Sequence, residues 1–278
     1  MAQSFFILGC GKMGSALLNG WLAGGLGQTY RFTIIDPFFD EGQITSAYEA
    51  GQICQYETLG QALQEGAVSP DVMLLSVKPQ IMAEALSQAQ RHDLSSCCFI
   101  SIAAGLSLAK LEDMIGATKT PRLIRTMPNT PAAIGKGITA IIGNEVAGPD
   151  DIDLAEALLS ACGAVVRLAD EEALDAVTAL SGSGPAYVFL MAEAMMKAGE
   201  SLGLSEDLSR QLAIQTLYGA SSLLADSHES ADVLRENVTS KGGTTAAALD
   251  VLMTDDRLSE LMREAMSAAH KRSRELGK

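Results

Sequence analysis

Two stretches of this sequence carry residue types and spacings that could do chemistry. The first is Gly9-Cys10-Gly11-Lys12-Met13-Gly14, directly after the apolar run Phe5-Phe6-Ile7-Leu8. The G-x-G-x-x-G spacing between a strand and a helix fits a phosphate-binding turn. Gly9 permits the turn, Gly11 lets the backbone approach a pyrophosphate, and Gly14 lets the helix pack closely on the strand. The free N–H groups at the helix start then face the anion. A plain packing turn is the alternative. A second strand pattern, Tyr30 to Ile35, ends in Asp36, about 20 residues beyond the last glycine, where a dinucleotide fold places its ribose-binding acid. A carboxylate there accepts bonds from both ribose hydroxyls and repels a 2′-phosphate, and Arg31 lies at the other end of the strand. This favours NAD(H) over NADP(H); a turn aspartate before Pro37 is the bland reading.

The second stretch is Val238-Thr239-Ser240-Lys241-Gly242-Gly243-Thr244-Thr245, which joins hydroxyls, a glycine pair and a helix start. Such an end can hold a carboxylate or phosphate on its free N–H groups, and Thr245 adds a hydroxyl that donates or accepts. An ordinary capped helix explains it equally well. Between these two stretches, Ser76-Val77-Lys78-Pro79 closes a buried strand, Ala103-Ala104-Gly105 closes another, and Pro128-Asn129-Thr130-Pro131 stiffens a third strand end. Open α/β sheets bind ligands at such carboxyl edges. Ser181-Gly182-Ser183-Gly184-Pro185 places glycines and a proline before a later helix.

The elements that must position these loops follow from periodicity. Strand patterns at Phe5–Leu8, Tyr30–Ile35, 53–56, 71–77, 98–102, 123–127, 137–142 and 164–168 predict an eight-stranded α/β domain. A short helical pattern is expected around residues 46–50, and longer ones at 81–90, from 107, and at 150–162. Beyond residue 169 alanine-, leucine- and methionine-rich patterns predict only helices, at 171–180, 185–199, 205–226, 230–238, 244–253 and 257–276. The expected division is therefore a dinucleotide-binding domain over 1–168 and a helical domain over 169–278. Methionines at 191, 195, 196, 262 and 266 read as core or subunit interface, and so much apolar surface on a small helical domain suggests a homodimer.

Composition narrows the classes. The 278 residues, 47% hydrophobic, allow two real cores, and a net charge of −14 disfavours nucleic acid and anionic membranes as partners. The five cysteines show no metal-like spacing, so no metal is expected, and they read as reduced thiols of a cytoplasmic protein. No apolar run reaches membrane-spanning length, and the N-terminus reads as entering a strand without an export signal.

Taken in order, Gly9–Gly14, Ser76-Val77-Lys78-Pro79-Gln80, Ser101–Gly105, Met127–Pro131, Ser181–Tyr187 and Val238–Thr245 resemble the Δ1-pyrroline-5-carboxylate reductases, across nearly the whole chain. The resemblance implies a Rossmann-like N-terminal domain, an all-α C-terminal dimerisation domain, and a dimer or ring of dimers that reduces a small imino acid to L-proline with NAD(P)H. By position it implies dinucleotide contacts at Leu8, Gly9, Cys10, Gly11, Lys12, Met13, Gly14, Asp36, Val77, Lys78 and Ala104. It implies substrate contacts at Glu171, Ser240, Gly243, Thr244 and Thr245, with Thr245 bonding the ring nitrogen. The imine can arrive protonated, so no histidine acid is obligatory, and His92, His228 and His270 fall in no family motif.

Two residues depart from the family pattern. Lys241 stands where a proline is usual, and Asp36 where many members carry a small or polar residue. Two rival readings fit the residues less well. A β-hydroxyacid dehydrogenase or other imine reductase needs a lysine acid-base with an asparagine a few residues on, but Lys197 sits near the far end of its helix with no such asparagine. A non-catalytic dinucleotide-binding regulator would not need both threonines and the glycine pair.

Overall fold

A computed structural model of the chain describes residues 2–49, 51–65, 69–116 and 120–277. Its central strands are apolar on both faces, which forces them into the middle of three layers. β1 (Gln3–Leu8) pairs in parallel with β2 (Tyr30–Ile35) and β4 (Val72–Leu75), and β3 (Ile53–Tyr56) extends the sheet beyond β2. β5 (Cys98–Ser101) and β6 (Arg122–Met127) continue it in parallel. β7 (Gly137–Gly143) then runs antiparallel to β6, and β8 (Gly163–Arg167) is parallel to β7. The order β3-β2-β1-β4-β5-β6-β7-β8 unites the eight expected strands in one sheet. Its winding reverses between β1 and β4, and such a reversal opens a crevice at the carboxyl ends.

Alternation along each strand feeds two separate cores. Helices α1 (Lys12–Ala23) and α5 (Pro149–Ser160) cover one face; α2 (Leu59–Glu65), α3 (Pro79–Leu86) and α4 (Leu108–Ile115) cover the other. Phe5, Ile7, Phe32, Ile34 and Leu74 meet Leu17, Leu18 and Trp21 on the first face, while Phe6, Leu8, Met73 and Leu75 meet Leu59, Met82 and Leu111 on the second. Each such burial is worth about 1.5–3 kcal/mol, so β1, buried from Phe5 to Leu8, is a rigid base for the glycine turn. Trp21 packs 4.7 Å from the Phe5 ring and donates its indole N–H to Leu158 O at 2.7 Å, so the largest side chain is buried with its polar atom satisfied.

Two local elements differ from expectation. Residues 46–49 form no helix, and Ala50 lies outside the described residues. Asn19 Oδ1 accepts the N–H groups of Thr45 (2.7 Å) and Ser46 (3.0 Å), and Ser46 Oγ donates to Asn19 O, so side-chain bonds replace a helical ladder. Conversely, α2 was not expected. Its start is a capping box: Gln61 N–H donates to Thr58 Oγ1 at 3.3 Å, and Thr58 N–H to Gln61 Oε1 at 3.2 Å.

The chain forms two compact units, Met1–Ser183 with Ala269–Lys278, and Gly184–Ala268. The first unit therefore extends past the expected boundary at 168 and takes in the end of the chain. After β8 it holds α6 (Ala173–Val177), which passes into a π-turn over Thr178–Gly182 where a continuous helix was expected. The C-terminal residues join this unit through Ser273 Oγ, which donates to Asp175 Oδ1 at 2.6 Å, and through Lys110 Nζ, which donates to Gly277 O at 2.6 Å.

The second unit is helical throughout: α7 (Gly184–Ser201), α8 (Glu206–Asp226), α9 (Ala231–Asn237), α10 (Thr244–Met253) and the larger part of α11 (Arg257–Leu276). α8 starts at Ser205, whose Oγ accepts Leu208 N–H, with Glu206 and Asp207 in the dipole-favoured first turn. Among its described residues Ala213 is the one buried apolar side chain, while Phe189, Leu190, Tyr218, Leu223 and Val251 are each more than half exposed. No helix among the described residues is long and apolar enough to cross a membrane.

Candidate active site

The glycine turn takes its shape from contacts that leave no room for side chains. Gly9 has φ +88°, and a Cβ there would stand 2.7 Å from Val77 Cγ1 and 2.9 Å from Val77 N. A Cβ on Gly14 would meet Gly9 O at 2.8 Å and Ser76 Oγ at 3.0 Å, so this glycine lets α1 close on the β1 end. Ser76 Oγ in turn donates to Gly9 O. At Gly11, by contrast, an added Cβ would have no heavy atom within 4 Å: that side of the turn is open. Gly11 is also the N-cap of α1, with no side-chain cap and no acidic residue in the first turn. Free N–H groups, a favourable dipole and open space together fit a dinucleotide's pyrophosphate.

Asp36 holds this turn in place. Its Oδ2 accepts Cys10 N–H at 2.8 Å and its Oδ1 accepts Phe38 N–H at 2.9 Å, so the expected ribose acid is also a turn aspartate. Burial, then the neighbouring Asp36 carboxylate, pushes the Cys10 thiol up to about 12. The thiol stays protonated at neutral pH, and Cys10 contributes only its backbone.

Two cavities lie near the carboxyl edge of the sheet. One, of about 300 Å³, is lined by Met13, Val77, Lys78, Ala104, Thr130 and Gly182 among others. The other, of about 390 Å³, is lined by Leu8, Pro37, Glu57, Thr58, Val77 and Glu84 among others. Val77 lines both. Leu8 to Gly14, Asp36, Val77, Lys78 and Ala104 are thus gathered at one edge of one sheet. The expectation omitted Gly182 and Glu57 from this edge. Gly182 is legible in Ser-Gly-Ser-Gly-Pro, whereas Glu57 is found only through strand register.

Asn129 does not serve as a free ligand-orienting amide. Its Nδ2 donates to Ser181 O at 3.1 Å and its Oδ1 accepts Ile138 N–H at 3.0 Å, which ties the β6 end to the π-turn. A Cβ on Gly182 would run into Met127 Cε, so this approach also requires glycine. Glu171 Oε1 accepts Leu108 N–H at 2.7 Å and pairs with Arg125 NH1 at 2.6 Å, and Glu171 does not line either cavity.

Ser240, Gly243, Thr244 and Thr245 belong to the second unit. Gly242 has φ +72°, Gly243 N–H donates to Ser240 O at 3.0 Å, and Gly243 caps α10 without a side-chain bond. A Cβ on Gly243 would strike Ser240 Oγ. The first turn of α10 therefore presents free N–H groups between two hydroxyl-bearing neighbours, Ser240 and Thr244, with Thr245 next.

Residues 171–276 match the family model described as pyrroline-5-carboxylate reductase dimerisation, and residues 4–105 the one described as NADP oxidoreductase coenzyme F420-dependent. A pyrroline-5-carboxylate reductase of Haemophilus influenzae is 42% identical over 211 residues, 76% of this chain and 77% of that protein. The chain belongs to the pyrroline-5-carboxylate reductase family. Among solved structures, the Coxiella burnetii pyrroline-5-carboxylate reductase is 33% identical with a TM-score of 0.87, covering 100% of this chain and 99% of that one. The Plasmodium falciparum pyrroline carboxylate reductase, solved with NADP bound, is 28% identical with a TM-score of 0.81 over 100% of this chain and 98% of that one. A pyrroline-5-carboxylate reductase is an oxidoreductase. For such a reductase the α1 end and the α10 end are two anion-receptive helix starts on one chain.

Proposed function

We propose that this chain reduces Δ1-pyrroline-5-carboxylate to L-proline with a reduced nicotinamide dinucleotide. Family membership across the whole chain carries this reading, and the open glycine turn with the cavities near the same sheet edge supports it. When bound, the cofactor supplies a hydride to the imine carbon. The chain's own residues do the rest. The α1 N–H groups hold the pyrophosphate, and Met13, Ile102, Ala103 and Met127 provide apolar wall on the Lys78 side of the turn. The α10 N–H groups, with Ser240 and Thr244, take the substrate carboxylate. Thr245 Oγ1 hydrogen-bonds the ring nitrogen, which arrives as the iminium, and fixes the ring for attack.

NAD(H) is the proposed cofactor because Asp36 carries a carboxylate at the ribose position and the chain from Phe32 to Val77 contains no lysine, arginine or histidine. A homodimer, alone or in a ring of dimers, is proposed because the helices of the second unit leave their apolar faces exposed and hold almost no core of their own. Five free thiols fit a reducing compartment such as the cytoplasm. The test is initial-rate oxidation of NADH and of NADPH by purified protein with pyrroline-5-carboxylate. Rapid turnover with NADH is expected; no turnover with either cofactor would overturn the reaction.

A further inference from the structure

We infer that Glu57 is a second selector of the cofactor, acting with Asp36 to exclude a 2′-phosphate; this rests on the dinucleotide reading above. Ile35 of β2 is the register partner of Tyr56 of β3, and Asp36 N–H donates to Tyr56 O at 3.1 Å. Asp36 and Glu57 are therefore the next residues off two adjacent parallel strands, leaving the sheet side by side where strands stand about 4.8 Å apart. Glu57 and Pro37 both line the cavity of about 390 Å³, and neither Lys12 nor Lys78 does.

The two carboxylates differ in what else they do. Asp36 is bound at both oxygens to backbone N–H groups, so it is part of the turn's construction. Glu57 is exposed and makes no hydrogen bond or ion pair with the described residues. Its charge is spent on no internal partner. The segment from Phe32 to Val77 contains no lysine, arginine or histidine, and Asp40 and Glu41 follow Asp36 in the loop after β2. A 2′-phosphate carries close to two negative charges near neutral pH. Beside Asp36 it would face two carboxylates, with no base supplied by the segment from Phe32 to Val77, whereas a free 2′-hydroxyl can donate to either.

Glu57→Gln and Glu57→Lys in the full-length protein test this, with NADH and NADPH dissociation constants measured by calorimetry and initial rates taken alongside. The NADPH constant should fall relative to that of NADH by about tenfold in Glu57→Gln and further in Glu57→Lys, and high salt should shrink the difference. An unmoved ratio in Glu57→Lys would overturn the inference, as would wild-type protein that binds NADPH more tightly than NADH. Wild-type protein that binds neither cofactor would instead overturn the dinucleotide reading on which it rests.

Discussion

Arg125 NH1 and Glu171 Oε1 stand 2.6 Å apart, with the arginine side chain 10% exposed and the glutamate 29%. The same oxygen also accepts Leu108 N–H, so one carboxylate joins the central sheet, the start of α4 and the segment before α6. Removing it leaves a nearly buried guanidinium without its partner. Glu171→Ala should lower stability by about 2–3 kcal/mol, discounted from a fully buried pair because Glu171 is partly exposed. Chemical denaturation measures this, and the KM for the imine should stay close to wild type. A raised KM with unchanged stability would make Glu171 a substrate contact.

The proposed function gives Thr245, at the α10 start, a single polar bond to substrate. Thr245→Ala should lower kcat/KM by about 10- to 100-fold, the range for one hydrogen bond to a charged group. NADH affinity, measured separately by fluorescence titration, should hold. Thr245→Ser keeps the hydroxyl and should recover most of the rate; equal losses in both variants would count against the hydroxyl.

Gly11 and Gly14 should fail differently. A methyl at Gly14 meets Gly9 O and Ser76 Oγ, so Gly14→Ala should cost about 1–3 kcal/mol of stability as well as cofactor binding. A methyl at Gly11 meets no protein atom and its φ of −70° suits any residue, so Gly11→Ala should melt like wild type yet bind NADH at least about tenfold more weakly. Thermal melts paired with NADH titrations distinguish the two, and normal NADH binding by Gly11→Ala would remove the pyrophosphate from this turn.

The thiols divide by burial. Cys10 and Cys98 are pushed up to about 12 and Cys162 to about 11, all chiefly by burial, and Cys97 is raised by the same cause; Cys54 is exposed. At pH 8 an alkylating reagent followed by mass spectrometry should label Cys54 fast and the other four only after denaturation. The linkage has a sign. These groups bind protons more tightly when folded, so their contribution is complete below the unfolded thiol pKa near 8.5. It is lost as pH rises from there towards 11 and 12, and stability should decline across that interval. Equal labelling of all five thiols in the folded protein would contradict the buried placement.

Much of this architecture was legible from short-range pattern. The apolar runs at Phe5–Leu8 and Val72–Leu75 could only be interior strands, and Gly9 and Gly14 each had a local steric reason that the structure shows in the crowding around the backbone. The capping box Thr58-x-x-Gln61 was equally visible, although Gly60 in the first turn obscured the helix that follows. Residues 46–49 misled because Asn19, distant in sequence, takes the N–H groups a helix would have used. The π-turn at Thr178–Gly182 was hidden for a similar reason, since Asn129 binds Ser181 O from another strand end.

The sequence by itself determined the alternation of strands and helices, the glycine turn after β1, the helical second half and the family. Those depend on periodicity and on glycine and proline chemistry within a few residues. Only the tertiary structure decided what the charged groups do. Asp36 secures Cys10, Glu171 secures Arg125 and Leu108, and Glu57 comes level with Asp36 because Ile53 of β3 packs against one core and Tyr56 against the other, which fixes the pairing of β3 with β2. That register is set by the packing of two whole cores, and no local stretch of sequence contains it.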